Sequence, residues 1–263
     1  MIRRASRAAT RTAVPLAIVI IWEVVVRTRY IGTPFIPAPS QVLAVWYQWM
    51  FGTPQELSDP YVGTWLLHGS QSTYRVLIGF TIAACIGISM GVFVGYFELF
   101  ADLFDPLIQV LRPIPITAWL PFAVIFFGIQ TASAVSLIAL GAFFPIVINT
   151  TAGVQRVPRS LIRAAQMLGA PKLHILPRVA FPAALPSIFT GLRVGLGMAW
   201  VLVIVSEMLA VKGGLGYVLW DAYYYLRMDV IIAAMLSIGA LGYISDRIML
   251  AFGNYALRWN EGN

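Results

Sequence analysis

Residues 157–171 run Val157-Pro158-Arg159-Ser160-Leu161-Ile162-Arg163-Ala164-Ala165-Gln166-Met167-Leu168-Gly169-Ala170-Pro171, between two long apolar stretches. A serine oxygen accepts from the free amides of a first helical turn, so Ser160 is suited to cap a helix here. Leu161, Ala164, Ala165 and Leu168 recur at the spacing that puts side chains on one helix face. Gly169 followed by Pro171 ends it, because glycine takes the left-handed turn after a helix and proline does not continue one. The stretch predicts a short amphipathic helix with small residues on its apolar side. Held out from a membrane, such a helix is a knob for the groove of a partner protein. Loop helices of this kind are common in membrane proteins, so its meaning depends on what flanks it.

The flanks are apolar enough to cross a bilayer. Of the 263 residues 59% are hydrophobic and only 11% charged, with a mean hydropathy of +0.81. A soluble domain runs at roughly 45–50% apolar and about 25% charged, which excludes most cytosolic enzymes. A span takes about 20 residues, and six apolar segments are present: 10–29, 76–96, 103–128, 131–150, 187–211 and 230–252. Their apolar residues surround the helix rather than forming one stripe. Backbone groups in lipid must be satisfied internally, so the fold class is all-α: a polytopic membrane protein of about six helices in one transmembrane domain, 1–263. Arg3, Arg4, Arg7 and Arg11 before the first apolar run resemble the head of a signal peptide. Trp22, Glu23 and the valines after it offer no small-residue cleavage site, so an uncleaved span is expected.

Short-loop Lys and Arg set the orientation. With the amino terminus inside, Arg3, Arg4, Arg7, Arg11, Arg156, Arg159, Arg163, Lys172, Arg178 and Arg258 are cytoplasmic. Arg27, Arg29, Arg75, Lys212 and Arg227 are outside, while Arg112, Arg193 and Arg247 fall within spans. Both termini are then cytoplasmic, as is the loop 151–186, and 30–73 forms a long first outer loop. This topology accounts for the net charge of +7 without nucleic acid. The single cysteine, Cys85, allows no internal disulfide, and His68 and His174 are expected to be loop residues with no second metal ligand near them.

Within the spans, Gly79, Ala83, Gly87, Gly91 and Gly95 recur every fourth residue, and Gly191, Gly195 and Ala199 repeat the pattern. Small residues at this spacing let two helix backbones approach closely. Pro113 and Pro115 interrupt the third segment. Arg112 beside them either snorkels to the inner surface or lies at a pathway. Glu207 is costly in lipid and should face the bundle, as a structural pair or as a gate. Glu23 has Arg27 at i+4. In the outer loop, Pro34, Pro37 and Pro39 precede an aromatic segment, 42–51, in which Trp46, Tyr47 and Trp49 suit a helix on the membrane surface. Docking of a partner is the other use for that segment and for 212–229.

Residues 163–182 resemble the EAA signature of permease subunits of bacterial ABC importers. Arg163-Ala164-Ala165, three residues, Gly169, nine residues and Val179-Ala180-Phe181-Pro182 keep its spacing throughout. Arg163 stands where the signature has Glu, and Val179 and Phe181 stand for Ile and Leu. What carries over is therefore the docking role of the helix, not a contact of that Glu. Leu111-Arg112-Pro113-Ile114-Pro115, Ala118-Trp119-Leu120-Pro121, Gly141-Ala142-Phe143-Phe144-Pro145, Gly191-Leu192-Arg193, Ala199-Trp200, Glu207 and Gly214-Leu215-Gly216-Tyr217 resemble the nitrate/sulfonate/taurine/bicarbonate branch.

The resemblance implies the type I importer permease fold in a bacterial inner membrane, paired with a second permease subunit, most simply an identical copy. Arg163, Ala164, Ala165, Gln166, Leu168, Gly169, Ala170 and Pro171, with Val179, Phe181 and Pro182, would form the coupling helix and loop on two cytoplasmic ABC ATPases. A periplasmic or lipid-anchored solute-binding protein would deliver a small anion: nitrate, a sulfonate such as taurine, or bicarbonate. A vitamin precursor or other small organic solute is the alternative cargo. Arg112, Trp119, Trp200 and Glu207 are the candidate pathway or gate residues. No Walker-type phosphate loop occurs in the sequence, so ATP and Mg²⁺ would sit on the ATPases and no cofactor or metal on this chain. An integral-membrane enzyme would need a polar catalytic set, and a stand-alone transporter recognisable inverted repeats. Neither feature is evident in the sequence.

Overall fold

The computed structural model describes residues 2–28, 36–53 and 59–258. Arg29 and Pro34 lie outside the described residues, as do the side chains of Arg3, Arg4, Arg7, Arg11 and Lys172. The described chain is helical, without a strand: α1 Ile2–Arg27, α2 Pro39–Phe51, α3 Trp65–Tyr96, α4 Glu98–Leu111, a 3₁₀ turn Ile116–Trp119, α5 Leu120–Phe127, α6 Thr131–Gln155, α7 Arg159–Met167, α8 Lys172–Ile175, a π turn Leu176–Ala180, α9 Phe181–Ala210, α10 Leu215–Tyr224 and α11 Met228–Ala256.

Among the described residues four helices are long and apolar enough to cross a membrane: α3, α6, α9 with its π turn, and α11. Taken together, α4 and Ile116–Phe127, bent by 95° at the break between them, meet the same measure. The expected third span, 103–128, is broken between Leu111 and Ile116, where Pro113 and Pro115 withhold two backbone donors. α1, Ile2–Arg27, is a helix over most of the expected first span. α3 begins at Trp65 rather than at 76, so Arg75 and His68 stand on a helix and not in the outer loop. Likewise α6 continues to Gln155 and α9 starts at Phe181, which shortens the loop expected at 151–186.

Packing divides the chain into two compact units, one of residues up to Gly69 with Val218–Ser237, the other of Ser70–Tyr217 with the residues from Ile238 onward. In the first unit Glu23 pairs with Arg27 at 2.5 Å, as expected, and also accepts from the Ser40 amide at 3.0 Å and the Ser40 hydroxyl at 2.8 Å. A carboxylate from α1 thereby satisfies the free donors at the start of α2. The aromatic segment is the expected helix, but Trp49 is not a surface anchor: it is 1% exposed and donates to Thr64 Oγ1 at 3.1 Å. Trp46 and Trp65 both donate to Ser237 Oγ at 2.8 Å, which leaves Tyr47 as the exposed ring. Beside them Tyr61 donates to Asp221 at 2.8 Å, and burial together with that carboxylate raises the phenol's pKa. Arg227 bridges Asp229 and Asp59, and hydrogen bonds to the two carboxylates raise its pKa further.

In the second unit α6 is the central rod. A Cβ on Gly79, Gly87, Gly91 or Gly95 would lie 2.6–2.9 Å from Ile138, Ile146, Thr150 and Val154 respectively. Only glycine lets α3 come this near, and because the paired numbers rise together the two helices run the same way. On another side of α6, Gly195 meets Ile146, Gly191 meets Asn149 and Gly153 meets Ser187. Those numbers run in opposition, so α9 is antiparallel to α6. Gly242 over Trp200 and Gly253 over Phe189 make this part of α11 antiparallel to α9. The directions put α7, which follows the carboxyl end of α6, at the end of the bundle opposite the amino terminus of α6.

Candidate coupling helix and pathway surface

α7 begins two residues earlier than the serine suggests, at Arg159. Pro158 is its N-cap and Leu161 N donates to Pro158 O at 3.0 Å, while Ser160 makes no capping bond and is exposed. The stop is as expected. Gly169 has φ +81, its amide donates to Gln166 O at 2.9 Å, and Ala170 N reaches back to Ala165 O at 3.0 Å. That pair of bonds is the left-handed helix stop that glycine favours. Nothing lies within 4 Å of a Cβ at Gly169, so conformation and not crowding selects glycine there.

No residue of α7 is buried. Leu161 is 48% exposed, Met167 and Leu168 88% each, and Arg163, Ala164 and Gln166 are open to solvent. Ile162, Ala165 and Ala170 are half-covered. Ala165 therefore leans toward the protein rather than outward with Leu161, Ala164 and Leu168. Pro171 caps α8, and Ile175, 1% exposed, seats it. The chain then enters α9 through the π turn, in which Phe181 N donates to Leu176 O. Pro182 has no amide to donate, and one wide turn lets the helix continue past it. Val179, Phe181 and Pro182 are thus half-buried in the root of α9, with α7 as the projecting part.

The four pathway candidates come to rest in separate places. Arg112 is exposed at the end of α4, in the break. Trp119 closes the 3₁₀ turn, its ring 6.1 Å from Phe122 and its Nε1 buried without an acceptor. Trp200 is 6% exposed, donates to Ser245 Oγ at 2.8 Å and lines a cavity of about 320 Å³ with Gly197, Gly239 and Gly242. Glu207 is fully buried. It accepts from Arg75 Nη1 at 2.6 Å, Ser72 Oγ at 2.8 Å and the Gly216 amide at 2.9 Å. Arg75 Nη1 also donates to Gly213 O at 2.7 Å, and Leu215 N to Ser72 Oγ at 2.8 Å. Gly214, φ +113, is packed on the Glu207 carboxyl where a Cβ would collide. Three donors on one carboxylate make this a knot tying α3 to α9 and to the turn before α10.

Two charged groups went unused in the sequence reading. Arg193 and Asp246 form a two-pronged ion pair, Nε and Nη2 to the two carboxylate oxygens at 3.0 Å each, in the same cavity wall as Trp200. Their side chains are 42% and 40% exposed, although each sits near the middle of a long apolar helix. A mid-span charge is the signal that could have found Arg193, with Asp246 its counterpart on the last span. Arg75 was taken as an outer-loop cation because the hydropathy of 65–75 is low.

A family model described as the binding-protein-dependent transport system inner membrane component matches residues 83–254, which takes in the small-residue stripe from Ala83 onward, α7 and the cavity. This chain belongs to that family. It is the permease subunit of an ABC importer for a small solute. The permease is 36% identical over 242 residues to the nitrate import permease protein NrtB of Synechocystis, covering 91% of this chain and 86% of that one. It is 34% identical over 256 residues to the taurine transport system permease protein TauC of Escherichia coli, covering 97% and 91%. A chain of the inward-facing MetNI methionine ABC transporter, 19% identical, superposes with a TM-score of 0.66 over 76% of the permease and 99% of that chain. The fold is that of a type I importer permease, and the relatives are transport proteins rather than enzymes.

Proposed function

We propose that the permease forms, with a second copy of itself, the pathway for a small anion such as nitrate, a sulfonate or bicarbonate. An extracytoplasmic binding protein delivers the anion, and two cytoplasmic ABC ATPases that hold ATP and Mg²⁺ drive its passage. A vitamin precursor or other small organic solute is the alternative cargo. The observation that carries this reading is α7, an exposed helix with outward Leu161, Ala164 and Leu168, ended by Gly169. An unburied apolar helix face needs a cover, and a groove on the ATPase supplies one. Nucleotide-driven closure of the ATPase pair would move two such helices and bias the bundles between two states. With α7 in the cytoplasm, the helix directions of the second unit put Arg75 and Glu207 near the outer face, and the Lys and Arg count supports both termini inside.

The cavity with Arg193, Asp246 and Trp200 supports a wall of the pathway. A half-exposed ion pair halfway along two apolar helices is too costly to face lipid and belongs toward water or a partner. The nitrate and taurine permeases among the relatives support an anionic cargo. The test is co-purification of the permease with its ATPase and binding protein, then uptake in proteoliposomes. Uptake of nitrate or taurine that requires internal ATP is the expected result. A permease that never retains an ATPase, or that moves solute without ATP, would refute the reading.

A further inference from the structure

Ile162 and Ala165 are the half-covered residues of α7, and every other residue of that helix is exposed. The side farthest from those two carries Ser160, Arg163, Ala164 and Met167, spaced i, i+3, i+4 and i+7. Arg163 thus stands with Met167, 88% exposed, on the crest of the part that projects. Its guanidinium forms no ion pair among the described residues, and the exposed Arg156, Arg159 and Arg178 form none either. The sequence holds no Asp or Glu from 106 to 206. At the same end of the bundle, where Gly95 packs on Val154, α4 carries Glu98, Asp102 and Asp105, and none of these pairs with the four arginines. Arg156 and Arg178 stand at the roots of α6 and α9, where lipid headgroups satisfy a cation. Arg163 differs, because a partner that covers the crest of α7 must cover its guanidinium too. A guanidinium taken out of water without a counter-charge is strongly unfavourable, so an all-apolar or cationic groove would reject this helix.

We propose that the groove receiving α7 on the ATPase presents a carboxylate to Arg163, and that this ion pair holds the junction together with the apolar contact of Ala164 and Met167. The inference rests on the reading of α7 as the ATPase-docking helix and adds the chemistry of the surface that receives it. Arg163 stands where the importer signature has Glu, so this polarity belongs to the chain itself and not to the resemblance. The planar fork of an arginine takes both oxygens of a carboxylate at once, which fixes the angle of the helix as well as its place. Arg159, one turn earlier and exposed, adds attraction to the same acidic surface from further off.

The test titrates the ATPase that co-purifies with the permease onto the full-length permease in lipid nanodiscs. Arg163→Gln is expected to raise the half-saturating ATPase concentration about tenfold or more, the usual consequence of removing one side of a covered charge pair. Arg163 is exposed and unpaired within the chain, so the variant keeps the fold; Arg156→Gln, the control at the root of α6, is expected to change binding less than twofold. A second arm uses Arg163→Lys, whose amine couples to a touching carboxylate in the presence of a zero-length carbodiimide. Coupling at position 163, mapped by mass spectrometry to an Asp or Glu of the ATPase, is the expected result, with equal binding in zwitterionic and anionic lipid. No coupling, with a loss in Arg163→Gln that appears only in anionic lipid, assigns Arg163 to headgroups and overturns the inference. Native-like binding by Arg163→Gln without coupling, in a permease that still drives ATP-dependent uptake, overturns it too and leaves the proposed function intact. A native permease that retains no ATPase overturns both.

Discussion

Glu207 is held by three donors and carries the charge that Arg75 needs, so Glu207→Gln removes little shape but leaves a buried guanidinium unpaired. Removing one partner of a buried pair costs about 3–5 kcal/mol, whereas replacing both with apolar residues of similar volume costs far less. Glu207→Gln is therefore expected to lower the melting temperature in detergent sharply, and a Glu207→Met, Arg75→Met double variant to recover much of it. Equal stability of the Gln variant and the native permease would disprove the pairing. The carboxylate was visible in the sequence as a charge inside an apolar run. Its partner was not, because Arg75 follows the polar residues His68, Ser70, Gln71, Ser72 and Thr73, which look like loop. Within that helical stretch the Ser72 hydroxyl is satisfied across the bundle, donating to Glu207 and accepting from the Leu215 amide.

At the scale of elements, α7 is the part whose exposure has a direct consequence. Ala164→Lys puts a long charged chain on the face of Leu161 and Leu168 without touching the core, since Ala164 is exposed. The variant is expected to insert normally and to lose at least most of the ATPase in a pull-down; unchanged retention would remove that face from the interface. Gly169→Asp acts differently, forcing a side chain into φ +81 at a cost of about 1 kcal/mol and altering the turn that aims the helix. ATP hydrolysis that no longer drives uptake is the expected outcome, measured in the same vesicles. Helix periodicity and the glycine stop made α7 legible in advance, because both follow from local backbone chemistry. The true start at Arg159 was not, since Pro158 rather than Ser160 takes the N-cap place, with φ −57 and ψ 124. The π turn was equally hidden: it arises from Pro182 meeting a helix that tertiary packing keeps continuous.

Across the whole molecule, the direction of each rod was only half legible. Four-residue glycine spacing announced close contacts, but which helix filled each notch depended on facing residues distant in sequence, such as Ile138 for Gly79 and Ser187 for Gly153. The Arg193–Asp246 pair belongs to this scale, since two helices contribute to it and neither charge is explained alone. Asp246→Asn is expected to preserve assembly and ATPase attachment but to reduce ATP-driven uptake by about tenfold, the equivalent of roughly 1.4 kcal/mol in the transport step. Full uptake by that variant would make the pair a mere brace. The interchange Arg193→Asp with Asp246→Arg checks the sign of the charge facing the cavity: it keeps the bond and moves the cation to the other helix.

The fit of α3 on α6 also limits how the machine moves. Each notch on one rod holds a side chain of the other with no spare room for a methyl group, so a one-residue slide would drive backbone into Ile138, Ile146, Thr150 and Val154 at once. The two rods are keyed like a splined shaft and travel together. Compliance then has to come from joints, and the 95° corner after Leu111, with its paired prolines, is where this unit can bend without unlocking that shaft.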